Sequence, residues 1–156
     1  EIGADALRFI FLSKKCDTHL EFDIETLKKQ DSSNPVFYVN YAHARIYQVF
    51  ARANKSFESV LNASFESLNE EGANLLFEAL NLHAILQSAF EERALQKIAD
   101  YLKSLAAAFH KFYAENKVVG SANEDSLLKL FAVVALSIKT ALSIMGIEAQ
   151  KKMVQE

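Results

Sequence analysis

The chain has 156 residues, 51% hydrophobic and 24% charged, and its 17 Lys plus Arg against 20 Asp plus Glu give a net charge of −3. That length suits one domain with a sizeable core and excludes a disordered tail, while a single cysteine, Cys16, excludes an internal disulfide framework and a cysteine-rich zinc site. The acidic balance argues against a protein held to nucleic acid mainly by phosphate neutralisation, but leaves room for one that reads a few unstacked bases with aromatic rings.

Four Gly and one Pro point to long helices. Residues 3–12 read as a short apolar helix, with Asp5 and Arg8 on one face. Thr18 to Phe22 alternates polar and apolar residues and reads as extended. Asp23 is placed to cap a helix over 24–31, and Ser32-Ser33-Asn34-Pro35 breaks the chain, with Pro35 suited to the first turn of the next helix. That helix runs from Pro35 to about Ala53. Its core face is Val39, Ala42, Ile46, Val49 and Phe50, and Tyr38, Tyr41, Arg45 and Gln48 form a second stripe beside it. Residues 54–70, rich in Asn, Ser and Glu, read as a connection with a short helical turn around Phe57 to Leu61.

A helix over 73–88 follows, with Leu75, Leu76, Ala79, Leu80, His83 and Leu86 inward. A long one over 91–116 carries Leu95, Ile98, Leu102, Leu105, Phe109, Phe112 and Tyr113. The last spans about 124–145 on Leu127, Leu130, Phe131, Val134, Ile138, Ala141, Leu142 and Met145, and Gly146 stops it. The expectation is an all-α bundle of about five helices. No apolar run approaches the roughly 18 residues of a membrane span, and no signal peptide opens the chain. This gives the expectation of a cytoplasmic protein without membrane contact, cut from something longer because the chain opens without Met.

The search for catalytic chemistry is negative. There is no Gly-rich phosphate loop and no His-Glu-x-x-His, and no two of His19, His43, His83 and His110 are three or four apart. Cys16 near His19 reads as a small buried hydrophobe rather than a nucleophile pair. No catalytic, cofactor-binding or metal-ligating residue is assigned. Three features remain: the Tyr38/Tyr41/Arg45/Gln48 stripe, Phe112-Tyr113 beside Lys111 and Lys117, and Lys151-Lys152-Met153. An Arg and Tyr face can stack on bases. The plainer readings are amphipathic side chains rimming a core, core packing and a frayed tail.

Gly3-Ala4-Asp5-Ala6-Leu7-Arg8 resembles the segment that names the DALR anticodon-binding domain. Asn34-Pro35-Val36-Phe37-Tyr38-Val39-Asn40-Tyr41-Ala42-His43-Ala44-Arg45 resembles the Asn-Pro-x-x-Tyr-Val-Gln-Tyr-Ala-His-Ala-Arg signature of arginyl-tRNA synthetases. Phe109-His110-Lys111-Phe112-Tyr113 and Met145 to Met153 resemble that family's Phe-His-x-Phe-Tyr helix and its ending. The resemblance implies that 1–22 links from a missing catalytic domain and that 23–156 is the DALR-type domain at the C-terminus of a class I synthetase. It implies a partner, the anticodon loop of arginine tRNA, contacted by Tyr38, Tyr41, Tyr113 and Met153. Arg45 would pair with a phosphate or lock its helix against a carboxylate, the 32–34 loop would approach the tRNA backbone, and His43 would be structural. The whole enzyme would be an arginine–tRNA ligase. ATP, normally with magnesium, would belong to the missing part, so the expectation is that this fragment has no cofactor and no ligase activity of its own and is a monomer. Here Asn40 stands for the usual Gln, Gln150 for Pro, and Leu127 and Ala135 for residues often basic. The alternatives are a DALR domain of another synthetase and a helical protein-interaction module, and the latter expects the three tyrosines scattered or buried.

Overall fold

The computed structural model describes residues 3–15, 17–19, 23–31 and 33–153. The expected extended run falls mostly on Leu20–Phe22, which lie outside the described residues, as do Cys16, Ser32 and the last three positions. The helices are α1 (Ala4–Leu12), α2 (Ile24–Lys28), α3 (Pro35–Ala53), α4 (Glu70–Leu80), α5 (Leu82–Glu91), α6 (Gln96–Glu115) and α7 (Glu124–Ile144), with a 3-10 turn at Glu58–Val60. No strand occurs among the described residues.

The all-α expectation holds, and α3, α6 and α7 pack on one another through the faces read from periodicity. Val39, Ala42 and Ile46 of α3 meet Leu102, Leu105 and Phe109 of α6 and Phe131, Val134 and Ile138 of α7 in one core. The helix α7 is long and apolar enough to cross a membrane by length and composition, which corrects the expectation that no run comes near that size. Its place explains the apolarity: it packs against α3, α4 and α6, and its buried residues run from Ser126 to Leu142. Gly146 takes φ +70° beyond its end, and the Ile147 N–H bonds to the Leu142 carbonyl at 2.9 Å, as the stop signal required.

The single helix expected over 73–88 is two. At Asn81 the backbone leaves ideal helix (φ −67°, ψ −6°), so α4 lies on α6 and α7 while α5 swings onto α6. The bend re-aims the side chains. Leu80 is 61% exposed and His83 is exposed, contrary to expectation, while Leu82 and Ala89 turn inward. The long helix begins at Gln96 rather than 91 because Arg93 adopts φ +52°, the left-handed conformation that ends α5. The Ala94 N–H then returns to the Ala89 carbonyl at 2.8 Å, and Leu95 stays 48% exposed instead of joining the core stripe.

Residues 54–69 are tied to α7. The Ser67 hydroxyl meets the Ser126 hydroxyl at 2.7 Å, Lys129 Nζ donates to the Ala63 carbonyl at 2.7 Å, and Val60 is 1% exposed. At the other end of the chain, α1 docks on α3 and α6 with Phe9 fully buried, and Arg8 donates to the Gly146 carbonyl at 3.1 Å.

Asn34 sets the start of α3. Its Oδ1 accepts from the Val36 and Phe37 N–H groups at 3.1 and 3.3 Å, and its Nδ2 donates to the Leu27 and Lys29 carbonyls at 2.8 and 3.0 Å. The side chain is 7% exposed. It caps the helix and pins the preceding loop to it. Asn34→Ala therefore lowers stability by about 2–3 kcal/mol in urea unfolding. Asn34→Ser, which keeps a capping oxygen but loses the amide N–H groups, falls between the two; equal stability of all three would contradict the double role.

Candidate nucleic-acid interface

With Pro35 in the first turn, the rotation of α3 is fixed by its buried face, and Tyr38, Tyr41 and Arg45 follow at spacings of three and four on one flank. On α6, His110 and Tyr113 lie three apart beside the buried Phe109 and Phe112. Packing of α3 on α6 brings the two sets together. The His110 ring sits 4.7 Å from that of Tyr38 and 5.5 Å from that of Tyr41. The Arg45 guanidinium lies 4.4 Å from the centroid of Tyr41 and 5.4 Å from that of Tyr113, and it donates to the Tyr41 hydroxyl. Phe37 stacks on Tyr41 at 5.9 Å and 11°. The outcome is a connected aromatic and guanidinium face drawn from two helices, each member half-buried. Its rings are braced from beneath and partly open to solvent.

Beside this face lies an open cavity of about 290 Å³ lined by Gln30, Asp31, Phe37, Tyr38, Tyr41 and His110. Its walls are aromatic and its rim is polar, the combination that stacks on a flat ring and hydrogen-bonds its edge. The hydroxyl and backbone N–H of Ser33 hold the Asp31 carboxylate, pulling its pKa below the usual value. It therefore offers acceptors only at neutral pH.

The structure thus brings Tyr38, Tyr41, Arg45 and Tyr113 into one place. Among the described residues Arg45 has no ion pair with a carboxylate; it spans two rings instead, so its lock on the helix is cation–π rather than a salt bridge. The approach to Met153 takes another route. Asn40 Oδ1 accepts from the Gln150 N–H at 2.9 Å, His43 Nδ1 donates to the Gln150 carbonyl at 2.7 Å, and Lys151 Nζ lies 5.5 Å from the Tyr47 centroid. By helical rotation, Asn40, His43 and Tyr47 mark the flank of α3 turned away from Tyr38 and Tyr41. Met153 is half-buried two residues beyond Lys151. Sequence reasoning missed His110, which touches both tyrosines of α3. Its position three residues before Tyr113 was the available signal.

Burial lowers the pKa of His43 and of His110. Both are therefore neutral near pH 7, and His110 presents an uncharged ring to its tyrosine neighbours. As pH falls through the ordinary histidine value of 6.5, the unfolded chain takes up protons that the folded chain refuses. Stability should be fully present above pH 6.5 and decline below it, by up to about 1.4 kcal/mol per pH unit for each histidine. The carboxylates with lowered pKa, such as Asp23 and Glu124, add their own loss only nearer 3.8 and 4.5. Urea midpoints measured between about pH 7.5 and 5 isolate the histidine window; a flat profile there would contradict neutral burial. No group of His, Cys, Asp and Glu among the described residues is placed to hold a metal ion.

A family model described as the DALR anticodon binding domain matches residues 39–153. An arginine–tRNA ligase of Campylobacter jejuni subsp. doylei is 75% identical over 98% of this chain and 29% of its own length, so the chain spans under a third of the curated relatives it matches. A crystal structure described as an arginyl-tRNA synthetase of Campylobacter jejuni superposes with a TM-score of 0.96 at 74% identity, covering 98% of this chain and 34% of that one. The Thermus thermophilus arginyl-tRNA synthetase superposes with a TM-score of 0.83 at 22% identity over 96% of this chain and 26% of that one, a likeness of fold.

Proposed function

The chain belongs to the DALR anticodon-binding domain family, and we propose that its Tyr38–Tyr41–Arg45–His110–Tyr113 face receives the anticodon loop of an arginine tRNA. The observation that carries this reading is the meeting of rings from α3 and α6 around one guanidinium. Anticodon bases can leave their stack, lie on phenol and imidazole rings and be read along their edges by Gln30 and Asp31 at the rim of the adjoining cavity. A protein-interaction module would have no need to gather the three tyrosines, and their proximity counts against it.

The reading makes this chain the anticodon-binding part of an arginine–tRNA ligase, acting in the cytoplasm as a monomer. Activation of arginine by ATP and magnesium, and transfer to the tRNA 3′ end, belong to the upstream catalytic domain. The role of this part is to hold the far end of the tRNA so that the acceptor end is presented there. The test is fluorescence anisotropy with three RNA hairpins: the anticodon stem-loop of arginine tRNA, the same hairpin with a replaced anticodon, and the stem-loop of an unrelated tRNA. Preference for the first is expected. Equal affinity for all three, or binding to none, would overturn the proposal.

A further inference from the structure

One charged side chain lines the aromatic cavity beside Tyr38 and Tyr41, the carboxylate of Asp31. We propose that Asp31 determines base specificity there: it accepts from the exocyclic amino group of an anticodon base and so favours cytosine, adenine or guanine over uracil. The proposal rests on the reading of this face as the site of the anticodon loop, and it adds which base edge the cavity admits.

The first reason is the sign of the charge. RNA is a polyanion, and a carboxylate set beside it is repelled by the phosphates. Among the described residues Asp31 has no ion pair to neutralise it, and Lys29 attracts it only from farther away. The other lining groups are uncharged: Gln30, the rings of Phe37, Tyr38 and Tyr41, and His110, which burial keeps neutral. An acid at such a face is favourable where it meets an N–H, and the amino group of a base is the donor that RNA supplies.

The second reason is that the carboxylate is held still with one oxygen spare. The N–H and the hydroxyl of Ser33 both donate to Oδ1, at 2.8 and 2.5 Å. No hydrogen bond among the described residues reaches Oδ2. The Asn34 N–H closes the turn on the Asp31 carbonyl at 3.1 Å, and Asn34 is itself buried against the start of α3. The acid is therefore positioned before RNA arrives, and little freedom is lost when a donor meets it. Asp31 is exposed, so a base entering the cavity can reach it.

The third reason lies in the bases. Cytosine, adenine and guanine each carry an exocyclic amino group. Uracil instead flanks its one ring N–H with two oxygens, which repel a carboxylate.

Cytosine and uracil share a ring and a size and differ at this group, so they are the probes. Hairpins with cytosine or uracil at each anticodon position in turn are titrated by anisotropy into the 156-residue chain and its Asp31 variants. The wild type is expected to prefer cytosine by about tenfold at one position. Asp31→Asn keeps an oxygen for Ser33 and replaces the spare one by an amide donor. The preference at that position should then fall below about twofold or reverse, while the ratios at the other positions stay as they were. Removing a negative charge raises affinity for every hairpin alike, so the ratio is the readout and the affinity is not. Asp31→Glu keeps the charge and the acceptor and should retain a reduced preference for cytosine. An unchanged preference in Asp31→Asn, or no preference at any position in a wild-type chain that still binds the arginine hairpin, would overturn the role of Asp31 and leave the anticodon reading standing. Failure of the wild-type chain to bind any hairpin would overturn both.

Discussion

Alanine at Tyr41 or at Tyr113 is expected to weaken binding of the arginine anticodon hairpin by about 10- to 100-fold, the loss that follows from removing one stacking ring at roughly 1–3 kcal/mol per base. Tyr41 is the centre of the face: Phe37 stacks on one side of it at 5.9 Å, His110 stands 5.5 Å away, and Arg45 covers it. Tyr113 stacks on Phe109 at 6.0 Å and 17° and is touched by Arg45. Phenylalanine variants separate the ring from its hydroxyl. Tyr41→Phe keeps the stacking surface but removes the acceptor of the Arg45 hydrogen bond, so it should fall well short of the alanine loss. Tyr113→Phe should lie nearer to wild type still, because among the described residues no hydrogen bond involves its hydroxyl. Anisotropy measures affinity, and circular dichroism at the same concentration checks that helix content is retained. Wild-type affinity in both alanine variants would remove the aromatic face from the mechanism.

What was legible in the sequence follows what is local. Pro35 and Asn34 announce the start of α3 because capping depends on residues within one turn. The 3.6-residue periodicity of α3, α6 and α7 announces their buried faces because apolar residues that recur at each helical turn line up on the side turned to the shared core. The break at Asn81 was not legible. Asn tolerates helical backbone, and the bend is set by α5 having to reach α6 while α4 stays on α7. Nor was the stop at Arg93, since a left-handed residue is ordinarily announced by Gly and here is not. In the candidate site, the motif resemblance supplied Tyr38, Tyr41 and Tyr113, and helix spacing put Arg45 beside the first two. That Arg45 bridges to Tyr113, that His110 fills the gap between Tyr38 and Tyr41, and that the tail reaches Met153 along the opposite flank depend on how α6 and the C-terminal residues pack against α3. Those are contacts between residues as far apart as Asn40 and Gln150, which no local pattern encodes.

Phe131 connects the core to that face. It is fully buried, and its ring meets Phe109 edge-on at 4.9 Å and 74°, Phe112 at 6.1 Å and 80°, and Tyr113 at 6.2 Å. Phe131→Ala leaves a cavity where α6 and α7 cross. The expected cost is about 3–5 kcal/mol, because transfer free energy is lost and close-packed neighbours relax only partly. For a domain of this size that lowers the melting temperature by roughly 10 °C or more. Phe77, 76% exposed on α4, is the control: its replacement by alanine should change stability by no more than about 0.5 kcal/mol. Phe131→Leu tests the link to the face. It keeps most of the buried apolar area and should cost little in melting temperature, but it removes the ring edge behind Tyr113. If Tyr113 is held in place for stacking by that edge, hairpin affinity falls in Phe131→Leu by more than the change in folded fraction accounts for. If affinity and folded fraction change together, Phe131 acts through stability alone, and the orientation of Tyr113 is set by Phe109 and Arg45.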